Sequence, residues 1–373
     1  MKYYIIAGEA SGDLHAARLI RAISQSDSNA EFRCWGGDKM QSEGAHVVKH
    51  YKDLAFMGFV EVLANISEIL KNIRFCKSDI MKWQPDAVIL VDYPGFNMRI
   101  AKFAKSKNFK VYYYISPQVW AWKKYRVHKV NKYTDLAFVI LPFETDFYAK
   151  YGYTAHYVGN PLVDSLVDIN QETKEAFIKQ YNLSQKPVIA IIPGSRVQEI
   201  TKVLPIMMQM VDKFPEYQFV ISKMKNIDEK VYQDVVKTYD NVKLVESPIS
   251  NILSVASAAL VTSGTATLET ALYNVPQVVC YKTSAASFFI AKKIVDVKFI
   301  SLVNLIMDRQ VVKELIQNDL NSENLYHHLN LILNDETTIS KMKDDYEVLK
   351  NKVGEKGVAD RAADLILNNL LNH

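Results

Sequence analysis

The run Lys2-Tyr3-Tyr4-Ile5-Ile6-Ala7 is followed directly by Gly8-Glu9-Ala10-Ser11-Gly12-Asp13 and then by an amphipathic stretch that reaches Ser26. A short aromatic and aliphatic run that ends at a glycine is typical of a strand buried on both faces. The glycine-bearing turn and the helical pattern after it complete the strand–helix unit that opens a doubly wound α/β domain. The start of the chain therefore predicts a parallel sheet covered by helices.

Strands and helices alternate along the rest of the chain as well. We predict strands at Phe32–Trp35, Ala87–Val91, Lys110–Ile115 and Leu136–Leu141, with helices at Gly58–Phe75, Met98–Ser106 and Phe143–Tyr151 between them. After a polar connection from Gly159 to about Pro187, strands recur at 188–192, 218–222, 242–245, 258–262 and 277–281. This pattern predicts two Rossmann-like domains, 1–165 and 185–345, that face a central cleft. C-terminal helices in 346–373 are candidates to pack back on the first domain.

Composition limits the class of protein. A chain of 373 residues, 49% hydrophobic and 23% charged, fits two globular domains. The net charge of +4 suits an anionic ligand or a membrane surface but is too weak to indicate nucleic acid. Cys34, Cys76 and Cys280 are far apart and odd in number, which favours reduced core residues of a cytosolic protein over disulfides or a metal site. Since no signal peptide or membrane-spanning run is visible, we expect any membrane contact to be peripheral.

Two strand–turn–helix junctions in the second half are candidates for nucleotide binding. In Ile191-Ile192-Pro193-Gly194-Ser195-Arg196, the helix-start N–H groups and the Arg196 guanidinium suit a phosphate, and Ser195 is a candidate helix cap. Ser263-Gly264-Thr265 precedes a helix that carries Glu269, whose carboxylate suits the two hydroxyls of a ribose. Either junction alone is equally consistent with an ordinary capped turn, but two of them about 70 residues apart favour a nucleotide.

Polar residues also follow two predicted strands of the first half. The turn Gly8–Asp13 lacks the G-x-G-x-x-G spacing of dinucleotide-binding domains, and its two acids would repel a pyrophosphate. This turn therefore favours a hydroxyl-rich group such as a sugar. Asp92 follows the strand Ala87–Val91 and is a candidate general base toward a sugar hydroxyl. A helix cap over the turn Pro94-Gly95 is an equally good interpretation of that residue.

Three further segments suit a lipid or its headgroup. Residues 56–70 form the least polar helical pattern, which indicates either core or a patch that enters a bilayer. Trp120 and Trp122 either line a sugar or acyl site or close the end of the domain. The basic run from Lys123 to Lys132 is either a solvated helix face or a surface for anionic phospholipid or a sugar phosphate.

Taken together, these motifs resemble the lipid-A-disaccharide synthases, which are bacterial glycosyltransferases of the two-Rossmann-domain GT-B type. The resemblance covers nearly the whole chain, through Gly8–Asp13, Met57–Val62, Asp92–Asn97, Ser116–Trp122, Leu141–Glu144, Pro193–Arg196, Ser263–Glu269 and Ser301–Leu305, with Arg309, Glu314 and Gln317 after them. The chain departs from many members at Gly95, where they have an acid, and at Asn160, where they have a histidine.

The resemblance implies an inverting transfer from UDP-2,3-diacylglucosamine onto the 6-hydroxyl of 2,3-diacylglucosamine 1-phosphate, with release of UDP and without a metal or other cofactor. It implies that Asp92 is the catalytic base, and it assigns two sets of binding residues. The nucleotide would be bound by Gly194, Ser195, Arg196, Ser263, Gly264, Thr265 and Glu269, and the substrates by Glu9, Ser11, Asp13 and Asn304. It further implies a cytoplasmic protein bound peripherally to the inner membrane, and it leaves a homodimer open.

Two other functions fit the same architecture. A UDP-sugar 2-epimerase would need acid and base residues on both faces of one sugar and no lipid site, which the apolar segment 56–70 disfavours. A non-catalytic sugar-nucleotide-binding protein with two α/β lobes is the other alternative. Exported proteins of that kind carry a signal peptide, and none is visible in this sequence.

Overall fold

A computed structural model of the chain describes residues 1–54, 66–121, 124–166, 171–236, 239–284, 288–289 and 297–372. The chain forms two compact units. The first unit combines Met1–Asp164 with Gly354–His373, and the second unit is Ser165–Val353. Each unit contains one parallel sheet with helices packed on it.

The first unit contains a seven-stranded sheet. Its strands are β1 (Lys2–Ala7), β2 (Glu31–Gly36), β3 (His46–His50), β4 (Ala87–Val91), β5 (Lys110–Tyr114), β6 (Leu136–Val139) and β7 (His156–Tyr157), in the order β3-β2-β1-β4-β5-β6-β7. The helices between them are α1 (Ala10–Ser26), α2 (Asp38–Ser42), α3 (Ile66–Trp83), α4 (Pro94–Ser106), α5 (Arg126–Tyr133) and α6 (Glu144–Ala149). The strand order reverses between β1 and β4, which is the point where doubly wound sheets bind ligands.

The second unit repeats this plan with a six-stranded sheet. Its strands are β8 (Val188–Ile192), β9 (Gln218–Ser222), β10 (Val242–Val245), β11 (Ala256–Thr262), β12 (Gln277–Tyr281) and β13 (Lys313–Ile316), in the order β10-β9-β8-β11-β12-β13. Its helices are α7 (Gln171–Gln180), α8 (Val197–Met207), α9 (Lys230–Val236), α10 (Ile249–Leu253), α11 (Thr265–Leu272), α12 (Leu302–Met307), α13 (Ser322–Asn334) and α14 (Glu336–Val353). The strand order reverses between β8 and β11.

The last helix, α15 (Val358–Leu371), returns to the first unit. Its Ala362 and Ile366 join the buried cluster that contains Leu19 and Ile20 of α1. The carboxylate of Asp164 accepts hydrogen bonds from the N–H groups of Gly357 at 2.7 Å and Val358 at 3.2 Å, which fixes the start of this helix. The first unit is therefore completed by α15.

The predicted fold class, two parallel-sheet α/β domains, is confirmed by these sheets. The edge strands β3, β7 and β13 were not predicted, because they are short and only partly buried and so lack the continuous apolar run of a central strand. Helix α7 lies inside the stretch that the sequence suggested as a connection, and its Phe177 packs in the second unit's core.

Some predicted features fall partly or wholly outside the described residues. Of the predicted helix Gly58–Phe75, the structure describes the part from Ile66 onward, so residues 56–65 of the apolar segment lie outside the described residues, as does Trp122. Across the described ranges, none of the helices has the length and apolar character needed to cross a bilayer.

Candidate functional site

The loops after β1 and β4 meet at the order reversal of the first sheet. Ala7 lies opposite Val91 in the parallel register, so Gly8 and Asp92 begin two neighbouring loops at the carboxyl edge. A Cβ atom on Gly8 would lie 2.4 Å from Cγ of Tyr93, and this close approach requires glycine. Glu9 follows as the exposed N-cap residue of α1. The structure thus brings two of the predicted residues, Glu9 and Asp92, to the same edge.

The backbone around Asp92 is strained. Asp92, Tyr93 and Ile115 adopt positive φ angles of 45°, 49° and 58°, which are unfavourable for residues with a side chain and most of all for a β-branched one. The carbonyl of Asp92 accepts hydrogen bonds from Nδ2 of Asn97 at 2.7 Å and from the hydroxyl of Tyr113 at 2.8 Å. Such strain persists only where surrounding groups hold it, and it is concentrated at functional sites.

A pocket opens beside this loop. It has a volume of about 290 Å³ and is lined by Asp92, Pro94, Ile115, Ser116, Pro117, Gln118, Val119, Arg126 and Ile140. Solvent reaches the Asp92 side chain, but the protein packed around the carboxyl raises its pKa, and the negative charge of Glu9 raises that pKa further. A carboxylate with a raised pKa is a stronger proton acceptor, as a general base requires.

Asp13, a predicted substrate ligand, is used inside the protein. Its side chain is 2% exposed. It accepts hydrogen bonds from the backbone N–H groups of Gly37 at 2.7 Å and of Lys39 and Met40 at 3.2 Å. The carboxylate therefore holds the start of α2, and the structure gives Asp13 a structural role. Ser11, in the same turn of α1, is exposed.

Asn304 is likewise committed to its own unit. This buried amide donates to the carbonyl of Val312 at 2.8 Å and to Oε1 of Glu314 at 2.9 Å. Its oxygen accepts from the N–H groups of Val311 at 2.7 Å and Val312 at 3.0 Å. Because both ends of the amide bind the loop before β13, Asn304 shapes the protein rather than presenting a polar group to solvent.

The first predicted nucleotide loop follows β8. Gly194 has a φ of 113°, and the N-cap residue of α8 is Arg196, without a side-chain cap. The predicted capping role of Ser195 is therefore wrong, because the helix begins one residue later; the N–H of Ser195 instead donates to Oε2 of Glu199 at 3.2 Å. Oε1 of Glu199 also contacts Nη1 of Arg196 at 3.3 Å, while the Arg196 side chain is 79% exposed. The guanidinium is thus held at the loop and open to a ligand.

The second predicted nucleotide loop follows β11, next to the first. Ile192 lies opposite Val261, so the two loops are neighbours at the order reversal. Gly264, with a φ of 155°, is the N-cap residue of α11, and Thr265 begins that helix exposed to solvent. The hydroxyl of Ser263 donates a hydrogen bond to the backbone carbonyl of Ile300 at 2.8 Å.

Glu269 lies one turn into α11 and is half-buried. Burial raises the pKa of its carboxyl. Within the described part of the chain, no group donates a hydrogen bond to this side chain. A partly buried carboxylate that lacks protein donors is suited to accept hydrogen bonds from ligand hydroxyls, as the sequence predicted for a ribose.

Sequence reasoning missed the residues that hold these loops. The hydroxyl of Tyr113 holds the Asp92 carbonyl. The run Tyr112-Tyr113-Tyr114 at the end of a buried strand could have indicated this role, because a buried hydroxyl needs a hydrogen-bond partner. The positive φ of Ile115 had no signal, because isoleucine disfavours that conformation. As for metals, no cluster of three or more His, Cys, Asp or Glu side chains able to hold an ion occurs among the described residues.

Two doubly wound sheets, each with polar loops at its order reversal, have the architecture of GT-B proteins. Solved structures share this fold. UDP-GlcNAc 2-epimerase from Neisseria meningitidis, bound to UDP-GlcNAc, matches with a TM-score of 0.71 and 15% identity over 100% of both chains. The glycotransferase of kitacinnamycin matches with a TM-score of 0.66 and 12% identity over 99% of both. At these identities the likeness shows the fold alone and does not favour an epimerase.

Sequence relatives identify the family. The family model described as lipid-A-disaccharide synthetase matches residues 3–367. The lipid-A-disaccharide synthase of Syntrophus aciditrophicus is 35% identical over 370 residues, which cover 97% of this chain and 96% of the relative. That of Geobacter sulfurreducens is 34% identical over 372 residues, covering 98% and 96%. The chain belongs to the lipid-A-disaccharide synthase family and is a glycosyltransferase of lipid A biosynthesis, which confirms the resemblance found in the sequence.

Proposed function

We propose that this chain condenses UDP-2,3-diacylglucosamine with 2,3-diacylglucosamine 1-phosphate to give a β-1′,6-linked disaccharide 1-phosphate and UDP. The observation that carries the proposal is the match, over nearly the whole chain, to a family whose curated members are named lipid-A-disaccharide synthase. The pocket beside Asp92 supports it, because an acceptor hydroxyl needs a base at hand. The first unit binds the acceptor and the second unit binds the UDP-sugar.

The second unit binds the nucleotide of the donor through its two neighbouring loops. Backbone N–H groups at the starts of α8 and α11, with the guanidinium of Arg196, receive the diphosphate. The carboxylate of Glu269 accepts the ribose hydroxyls. As the bond between C1 of the sugar and the diphosphate breaks, negative charge grows on UDP, and these groups stabilise the leaving group in the transition state.

Asp92 serves as the base of a single displacement. The 6-hydroxyl oxygen of the acceptor attacks C1 of the donor while the Asp92 carboxylate accepts its proton, and UDP departs from the opposite face. One in-line attack inverts the configuration at C1, and one carboxylate is sufficient for it. The raised pKa of Asp92 strengthens the carboxylate as a proton acceptor, and the loop strain at Asp92 and Tyr93 is the cost of presenting it.

Incubation of the purified chain with defined donor and acceptor tests the reaction. We expect a product with the mass of the disaccharide 1-phosphate and release of UDP that requires both substrates. The Asp92→Asn variant is the matched control, since it keeps the shape of the side chain and removes the base. Free sugar released without acceptor would contradict the transferase reaction, and so would an epimerised donor.

We also propose peripheral contact with the inner face of the cytoplasmic membrane through α3. This helix exposes Leu70, Phe75 and Met81, and Lys71 and Arg74 are exposed beside them. Exposed apolar side chains that alternate with basic ones are typical of helices that lie on anionic bilayers.

Flotation with phosphatidylglycerol vesicles measures this contact. Phe75→Ser should reduce the bound fraction, whereas Val348→Ser, which removes an equally exposed apolar side chain from α14, should not. Equal binding by the two variants would contradict the assignment to α3. A homodimer, which the sequence leaves open, is tested separately by sedimentation velocity, in which a single species of monomer mass would exclude it.

A further inference from the structure

The basic run after the two tryptophans divides into a pocket residue and surface residues. Arg126 begins α5, is half-buried and lines the same pocket as Asp92. Lys129 and Lys132, further along the helix, are exposed, and their ammonium groups lie 5.9 Å from the ring centres of Tyr125 and Tyr133. Among the described residues that line the pocket, Arg126 is the one that carries a positive charge.

Arg126 and the loop of the proposed base lie on one pocket. Asp92 and Arg126 both line it. Tyr113 holds the Asp92 loop in place, because its hydroxyl donates to the backbone carbonyl of Asp92 at 2.8 Å. The pocket therefore has the carboxyl of Asp92 and the guanidinium of Arg126 in its lining.

The chemistry of the acceptor brings its phosphate close to the base and so favours a cation there. In a hexosamine 1-phosphate, C1 and C5 are both bonded to the ring oxygen, and the 6-hydroxyl is one carbon beyond C5. The phosphate and the reacting hydroxyl therefore leave the same edge of one sugar ring. When the hydroxyl is at the base, the phosphate is within one ring's width of it and adds negative charge beside a carboxylate.

We propose that Arg126 binds the phosphate monoester of the acceptor and makes the enzyme selective for 1-phosphorylated sugars; this inference rests on the transferase function proposed above. A guanidinium binds phosphate through two parallel N–H···O hydrogen bonds, and this geometry fixes the orientation of the sugar as well as holding it. The bound phosphate positions the 6-hydroxyl toward Asp92, and Arg126 offsets the repulsion between the two anions. Ile115, with its positive φ angle of 58°, and the next residue, Ser116, line the same pocket.

A comparison of two acceptors tests this inference. The initial rate of UDP release is measured at saturating donor with 2,3-diacylglucosamine 1-phosphate and with the methyl glycoside of the same sugar, which lacks the phosphate. The unsubstituted chain should prefer the phosphorylated acceptor in kcat/KM. Arg126→Gln should lower that preference about 10- to 100-fold, mainly through KM, because a charge-assisted hydrogen-bonded pair is lost. Arg126→Lys should retain part of it.

Arg99→Gln is the matched control, since it removes an exposed positive charge from α4 outside the pocket lining. It should leave the preference as in the unsubstituted chain. Equal losses with both acceptors in Arg126→Gln would overturn the inference and make Arg126 a structural residue, and an undiminished preference would overturn it too. If the unsubstituted chain transfers sugar to neither acceptor, the proposed function fails; if it uses both equally well, phosphate selection alone fails.

Discussion

Replacing Asp13 with alanine should destabilise the first unit rather than weaken the binding of a substrate. The Asp13 carboxylate lies almost completely buried beneath α2 and accepts the N–H groups of Gly37, Lys39 and Met40. Alanine would leave these three donors without an acceptor in a place that water reaches poorly. Asparagine would keep the volume and one acceptor oxygen.

The expected loss follows from these contacts. A hydrogen bond to a charged acceptor contributes about 1.5–3 kcal/mol, and an unsatisfied buried donor costs a similar amount. The bond from Gly37 is short at 2.7 Å, whereas those from Lys39 and Met40 are long at 3.2 Å, so the three do not contribute equally. We expect Asp13→Ala to lower the free energy of unfolding by about 3–5 kcal/mol and the melting temperature by about 10 °C. Asp13→Asn should cost about 1–2 kcal/mol.

Urea unfolding followed by circular dichroism, together with the KM for the acceptor, measures both effects. Ser11→Ala is the control, since Ser11 is an exposed residue in the same turn of α1 and its loss should change stability by less than about 0.5 kcal/mol. If Asp13→Ala unfolds at the same urea concentration as the unsubstituted chain while KM rises, the carboxylate is a substrate ligand and the structural role is refuted.

Three further outcomes are expected. Burial by the surrounding protein and, to a smaller extent, the negative charge of Glu9 raise the pKa of Asp92. Activity should therefore fall on acidification at a higher pH than an ordinary aspartate would give. Glu9→Gln should move this acidic limb of the pH–activity profile to lower pH, and a limb that does not move would assign it to another group. Arg196→Ala should weaken UDP binding about 10- to 100-fold in calorimetry, and an unaltered Kd would remove Arg196 from the phosphate site. Burial raises the pKa of Glu144 from 4.5 to about 7, so the stability that this group contributes is complete below pH 4.5 and is lost as the pH rises to 7. Between pH 5 and pH 7 this loss is about 2 kcal/mol, and Glu144→Gln should remove that part of the difference in urea unfolding between the two pH values; an identical difference in both proteins would contradict the raised pKa.

The central strands could be predicted from the sequence because helices on both faces select continuous apolar runs. β1, β4 and β8 are such runs, and they are followed by Gly8, Asp92 and Pro193-Gly194. Edge strands have one neighbour and less burial, so β3 and β13 could not be distinguished from loops, although the edge strand β10, which begins and ends with a buried valine, was predicted. The start of α1 at Ala10 was also hidden, because Gly12 and Ser11 favour a turn by their local preferences.

The sequence indicated which polar residues lie near the carboxyl edge of a sheet, but not whether each of them faces a ligand or holds the fold. Asp13 and Asp92 each come after a strand at the carboxyl edge, and their local sequences do not distinguish a buried cap from a residue that faces a pocket. What decides between them lies elsewhere in the chain: the backbone of Gly37–Met40 surrounds Asp13, while Asp92 opens to a pocket. The structural use of Asn304 is likewise determined by distant residues, because the loop before β13 binds both ends of its amide. Such pairings depend on the tertiary fold and leave no short-range pattern.

The return of α15 to the first unit has a consequence for how the chain folds during synthesis. The second unit, Ser165–Val353, is one continuous segment and is complete as soon as it leaves the ribosome. The first unit is begun earlier but finished later, because Leu19 and Ile20 of α1 are covered by residues of the last helix. An apolar face formed first thus stays open until α15 has been synthesised. A nascent chain stalled before Val358 would present that face to chaperones, even though most of the first unit had already been made.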